Sequence, residues 1–144
     1  MSLDELKLEI SQELTIKAAP AKVFEGLLRR LGEENVSPRD GESLSLVLEP
    51  WPGGRWFRDL GNRQGHLWGF VQVIKPPTLL ELSGPLFMSY PASNHVQFRL
   101  TPVDAGTKVE FTHKAIGLIE PAHREGVRSG WSYMINAVKE RAEQ

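Results

Sequence analysis

Apolar and polar residues alternate from near the start of the chain. Leu8, Ile10, Gln12, Leu14 and Ile16 occupy one set of positions, and Glu9, Ser11, Glu13, Thr15 and Lys17 occupy the other. This period of two predicts a half-buried strand. The period then lengthens. Val23, Phe24, Leu27, Leu28 and Leu31 recur at helical spacing, one face of an amphipathic helix. Pro20 suits the first helical position, where its missing N–H has no partner to lose, and Gly32 supplies a stop. Ala19 falls at the cap position and cannot accept a hydrogen bond there, which forfeits about 1 kcal/mol relative to serine.

The polar stretch from Asn35 to Glu42, with Pro38 and Asp40-Gly41, reads as a loop. Short strands are expected at Leu44 to Glu49 and Arg55 to Leu60, on either side of a Pro50-Trp51-Pro52-Gly53-Gly54 turn. A Gly61-Asn62 turn leads into His66 to Lys75, which is apolar on both alternating sets. Trp68, Phe70 and Ile74 fall on one set and Leu67, Val71 and Val73 on the other, as in a strand covered on both faces. Pro76-Pro77 ends it, and Thr78 to Leu82 is a further strand. Gly84 to Asn94 is expected to be a loop. Val96, Phe98 and Leu100 then alternate with Gln97, Arg99 and Thr101, and Val109, Phe111 and His113 with Glu110, Thr112 and Lys114. The Asp104-Ala105-Gly106 turn joins these two runs into a hairpin.

A helix is expected from near Pro121 towards Ala142. Val127, Trp131, Met134, Ile135, Val138 and Ala142 form its apolar stripe, with Arg128, Ser132, Asn136 and Lys139 opposite. Gly126, Gly130 and Ala137 lie beside the stripe. A glycine inside a helix costs about 1 kcal/mol against alanine, so a strand or a ligand is expected to come close there. The order is strand, helix, about six strands, helix. Consecutive strands without crossover helices predict an antiparallel sheet, and the long terminal helix must bury its stripe on that sheet, giving an α+β domain. No repeat or linker interrupts the chain, so one domain over residues 1–144 is expected.

Composition narrows the function classes. With 17 basic and 18 acidic residues the net charge is -1, which supplies no basic surface for nucleic acid. No apolar run approaches the roughly 20 residues of a membrane span. The segment from Met1 to Lys7 carries acids and lacks an apolar stretch, so it does not read as a secretory signal. The absence of cysteine excludes disulfides, thiolate nucleophiles and cysteine–zinc sites, and a cytoplasmic location is expected.

Four segments, collinear over nearly the whole chain, resemble the activator of heat-shock-protein-90 ATPase homologue branch of the START-like superfamily, also called SRPBCC. They are Ile16-Lys17-Ala18-Ala19-Pro20-Ala21-Lys22-Val23-Phe24; Glu49 with Gly53-Gly54-Arg55-Trp56-Phe57; Gly69-Phe70-Val71-Gln72-Val73-Ile74-Lys75-Pro76-Pro77; and the hairpin from Val96 to His113 followed by Gly130-Trp131. Ala19 departs from the capping serine frequent in that family. The resemblance implies a helix-grip (Bet v 1-like) fold. Its curved antiparallel sheet wraps a long C-terminal helix, with one or two short helices after the first strand and a cavity between sheet and helix. Members include lipid and sterol carriers, hormone receptors, polyketide cyclases and cochaperone-type domains, so the fold alone does not settle the function.

The cavity lining implied in this way is Trp56, Trp68, Phe70, Phe87, Met88, Tyr90, Phe98, Phe111, His113, Gly130, Trp131 and Met134. Ligand pockets are mostly aromatic and apolar, and a filled core would draw on the same residues. His113 shares the register of Val109 and Phe111 and points inward, either as a base or ligand contact, or as a core histidine satisfied by a backbone carbonyl. Phe87, Met88 and Tyr90 form either a lid or packing against the helix end. Arg55 and Asp59 share a strand face, as a grip on a polar ligand group or as a surface ion pair. His66, His95, His113 and His123 are too scattered for a zinc motif, and neither a phosphate loop nor a Gly-x-Ser-x-Gly elbow occurs. The first expectation is therefore binding of a small apolar or amphipathic molecule, a lipid included, without a cofactor. A cyclase- or hydrolase-like enzyme using His113 with Tyr90 or Arg55 follows, then a chaperone-interaction domain. Exposed aromatics such as Trp51 leave a homodimer open.

Overall fold

Strand pairing follows chain order except at one place, and that exception makes the grip. In the computed structural model, which describes residues 2–144, a 3-10 turn at Leu3–Leu6 leads into β1 (Lys7–Ile16) and α1 (Pro20–Leu31). Met1, part of the N-terminal segment considered above, lies outside the described residues. Then come β2 (Leu46–Leu48), β3 (Arg55–Gly61), β4 (Gln64–Lys75), β5 (Leu79–Gly84), β6 (Ala92–Val103), β7 (Gly106–Gly117) and α2 (Pro121–Ala142). The seven strands form one antiparallel sheet in the order β1-β7-β6-β5-β4-β3-β2. Because β1 pairs with β7 rather than β2, α1 carries the chain from one edge of the sheet to the other. Among the described residues no helix is long and apolar enough to cross a membrane.

The long terminal helix behaves as its periodicity requires. The buried residues of α2 are Val127, Trp131, Met134, Ile135, Val138 and Ala142, the stripe read from the sequence. They share one core with Val23, Phe24, Leu27 and Leu31 of α1 and with Ile10, Phe98 and Phe111 of the sheet. Both helices therefore lie on the same face of the sheet, and burial of that face supplies most of the stabilisation.

β4 corrects the sequence reading. It is not covered on both faces, since Leu67 and Phe70 are exposed at 45% and 44%. The register with β3 shifts between Trp56 and Phe57, and the register with β5 shifts between Val71 and Val73. Each irregularity inserts one extra residue into β4 and reverses which side chains face inward. Trp68, Val71 and Ile74, three apart rather than two, consequently pack against the core. Phe70 is turned to the outer face. Two edges of the reading also move. β6 begins at Ala92, so the loop before it is short, and β2 is limited to Leu46–Leu48.

The first irregularity positions the next segment. A Cβ on Gly69 would lie 2.4 Å from the Ser83 carbonyl oxygen, so only glycine lets β4 and β5 come this close. The Leu86 N–H donates to the Trp68 carbonyl at 2.6 Å, which brings the β5–β6 loop back over Trp68.

Candidate functional site

Between α2 and the β2–β4 end of the sheet lies a cavity of about 220 Å³. Its floor is Trp56 of β3 and Trp68 of β4, and Phe87 of the β5–β6 loop closes one side. The last turn of α1 contributes Arg30 and Leu31, and the segment linking α1 to β2 contributes Asn35, Val36, Pro38 and Leu44. The opposite wall is α2, from His123 through Gly126, Val127, Gly130 and Trp131 to Tyr133 and Met134. Pro38, Gly126 and Tyr133 are exposed and mark the mouth.

Aromatic rings define the wall. Trp56 meets Trp68 edge-to-face with centroids 5.1 Å apart, Trp68 meets Phe87 at 5.5 Å, and Phe87 meets His123 at 5.6 Å. Such T-shaped pairs hold one another in place. Trp56 is fixed further by its indole N–H, which donates to the Leu31 carbonyl at 2.7 Å and ties β3 to the end of α1. The helix glycines need a different account from strand contact. A Cβ on Gly126 or Gly130 would find no atom within 4 Å. Both positions face open space and both border the cavity, Gly126 at its exposed mouth and Gly130 further in.

His113 is deeper and is not part of the cavity wall. The Trp131 indole N–H donates to its Nδ1 at 3.0 Å. An indole can only donate, so Nδ1 is the acceptor and Nε2 carries the proton, which it donates to Asn94 Oδ1 at 2.7 Å. The Asn94 amide in turn donates to the carbonyls of Gly84 and Pro85. Burial pushes the imidazole down to about 4 from its usual 6.5, so it is neutral at pH 7. The network joins α2, β7, β6 and the β5–β6 loop with every ring nitrogen occupied. The satisfied core histidine of the sequence analysis is therefore the arrangement found, with side chains in place of the anticipated backbone carbonyl.

A second histidine stands at the wall. Tyr90 and His123 lie 2.6 Å apart from phenol oxygen to Nδ1. Burial, with the nearby Glu120 charge adding to it, pushes the phenol up, so Tyr90 is protonated at neutral pH. A phenol donating to Nδ1 leaves Nε2 of His123 as the N–H nitrogen. Opposite, Arg30 holds its guanidinium over the Tyr133 ring at 5.6 Å. Its Nε is buried without a hydrogen-bond partner, and it has no ion-pair partner among the described residues.

Of the residues expected to line a cavity, Trp56, Trp68, Phe87, Gly130, Trp131 and Met134 do so. Phe98, Phe111 and Met88 belong to the packed core, and Tyr90 stands behind His123. Phe70 is outside, turned away by the β4 irregularity. The cavity implied between sheet and helix does not extend to the strand of Phe111 and His113, because Trp131 fills that side, its ring 4.7 Å from Phe111 and 5.7 Å from His113. What remains on that side is a void of about 10 Å³ among Ile16, Phe98 and Val138, too small and apolar for water. The Arg55–Asp59 pairing does not form. Glu49 takes Arg55 in a two-pronged contact, Nε to Oε1 at 2.8 Å and a terminal nitrogen to Oε2 at 2.9 Å. Asp59 accepts instead from the Gly61 N–H. The pairing of His113 with Tyr90 or Arg55 is thus not assembled. His123, Arg30 and Tyr133 were not foreseen as site residues. His123 and Tyr133 could have been, since residues 123, 126, 130 and 133 recur on one helical face.

A protein from Chromobacterium violaceum matches with a TM-score of 0.74 at 17% identity, over 94% of this chain and 97% of that one. The Aha1 dimer from Colwellia psychrerythraea matches with a TM-score of 0.65 at 19% identity, over 94% and 96%. The di-domain ARO/CYC protein StfQ of the steffimycin biosynthetic pathway matches with a TM-score of 0.67 at 15% identity, over 98% of this chain and 52% of that one. At these identities the likeness is one of fold, the SRPBCC helix-grip. A comparison with curated proteins gave no match. The family model described as Activator of Hsp90 ATPase homolog 1-like protein matches residues 17–143. The chain therefore belongs to the Activator of Hsp90 ATPase homolog 1-like family.

Proposed function

We propose that this domain binds a small apolar or amphipathic molecule in the cavity between α2, β3 and β4. One observation carries the reading. Two glycines, each costly within a helix, border an aromatic-walled cavity, Gly126 at its exposed mouth and Gly130 further in, where a large side chain would enter it. Both features support the reading of a space kept open. Differential scanning of the full chain against two-ring aromatic probes tests this, because a ligand of the folded state raises the unfolding midpoint. Wild type should respond, and Gly130→Leu, whose side chain enters the cavity, should not. A midpoint indifferent to every probe, or equal responses in the two proteins, sinks the reading.

A cyclase- or hydrolase-like activity is the second reading, favoured by the Tyr90–His123 pair at the cavity wall. It is supported by the fold shared with an ARO/CYC protein. With Tyr90 on Nδ1, the Nε2 of His123 is the nitrogen left to exchange a proton with a bound molecule. Hydrolysis of a 2-naphthyl ester that His123→Gln abolishes, with probe binding retained, supports this reading; a rate no higher than that of buffer refutes its hydrolytic form.

A further inference from the structure

The cavity wall carries one permanently charged side chain, and it is positive. Arg30 is the sole arginine or lysine in the lining, and no aspartate or glutamate accompanies it. Its position is held from two sides. The guanidinium stacks on Tyr133 of α2 at 5.6 Å, and the residue sits in the last turn of α1, where the carbonyl ends of the helix favour a cation. Yet its Nε is buried and has no acceptor. A nitrogen closed to solvent is closed to a guest as well, so what Arg30 can offer is its terminal nitrogens, which are neither buried nor held by an ion pair among the described residues. Arg58 Nε is also unpaired, but Arg58 does not belong to the cavity lining.

We infer that the molecule bound here is an aromatic carboxylate, with its anionic end on Arg30 and its ring body between Trp68, Phe87 and Trp131. This rests on the binding reading above and specifies its chemistry. A guanidinium presents N–H groups in a planar fork that matches a carboxylate. The ring body follows from size and wall. An apolar cavity of about 150 Å³ holds benzene, so about 220 Å³ suits a body of roughly one to two rings rather than a long acyl chain. The edge-to-face ring pairs offer a flat guest further partners of the same kind.

Calorimetric titration of the full chain with 2-naphthoate and with 2-naphthamide separates the two ideas. The probes share the ring body and nearly the same shape, and only the first is charged. The naphthoate should bind roughly tenfold or more tightly than the amide. Arg30→Gln should erase that preference by weakening the naphthoate alone, and Arg30→Lys should restore part of it. If both probes bind wild type equally, or Arg30→Gln keeps the preference, the anionic assignment is overturned while the cavity reading stands. If neither probe binds wild type, both fail. Should Arg30→Gln not fold, the ratio of the two probes in wild type decides alone.

Discussion

Replacing Gly130 by alanine adds one methyl group to α2 at a point where the structure places nothing within 4 Å of it. The substitution creates no clash, and Gly130 is not among the glycines with positive φ. Only the backbone entropy of the unfolded chain and the helix preference should change. That difference favours alanine by about 1 kcal/mol. Gly126 is in the same situation one turn earlier, so the double variant should gain about 2 kcal/mol if the two act independently. For a chain of this length each kcal/mol corresponds to a rise in midpoint of roughly 2–4 °C. Urea denaturation followed by far-ultraviolet circular dichroism measures the gain, and an unchanged slope confirms that the unfolded state is comparable. The natural sequence would then be forgoing stability at two positions that border the cavity, as expected where an open site is retained. A loss of stability in Gly130→Ala would show that the space beside it is occupied in solution, and would remove the observation on which the binding proposal stands.

Other expectations follow from the same geometry. His113 is held at about 4, below its ordinary 6.5, so between those values the unfolded chain binds one more proton than the native one and stability falls as the pH is lowered through that window, by roughly 3 kcal/mol in all. Unfolding free energies from pH 7 to 4 should show a smaller fall in His113→Gln; parallel curves would contradict the buried neutral imidazole. Trp131→Phe removes the donor to His113 Nδ1 and should cost about 1–3 kcal/mol, measured by urea unfolding, whereas a neutral effect would deny the network. The Arg55 hydrogen bonds and charge hold the Glu49 carboxyl at about 2, so carboxyl NMR should find it ionised well below the usual 4.5, and Arg55→Gln should return it towards that value. Phe70→Ser on the outer face should leave stability within about 0.5 kcal/mol and probe binding unchanged, and lost binding would place Phe70 inside after all.

The sequence alone determined the elements whose periodicity is local. The stripe of α2, the start of α1 at Pro20 and the hairpin through Asp104-Ala105 all depend on residues close along the chain, and each matches the structure. The tertiary structure decided the rest. Which face Phe70 occupies depends on two irregularities in β4, and those arise from pairing with β3 and β5, where Gly69 lets Ser83 approach. The partner of Arg55 depends on the turn that returns Glu49 beside it. His113 was legible as inward-facing, but its neutrality required Trp131 and Asn94, which come from other elements. The cavity is bounded by α1, the segment after it, two strands, a loop and α2, so no short stretch of sequence describes it. Arg30 and Trp68 border one space only because the sheet bends round the helices. Periodicity specifies which side of an element is apolar; whether opposing apolar sides meet or leave a gap is set by the distance between elements, a property of the folded whole.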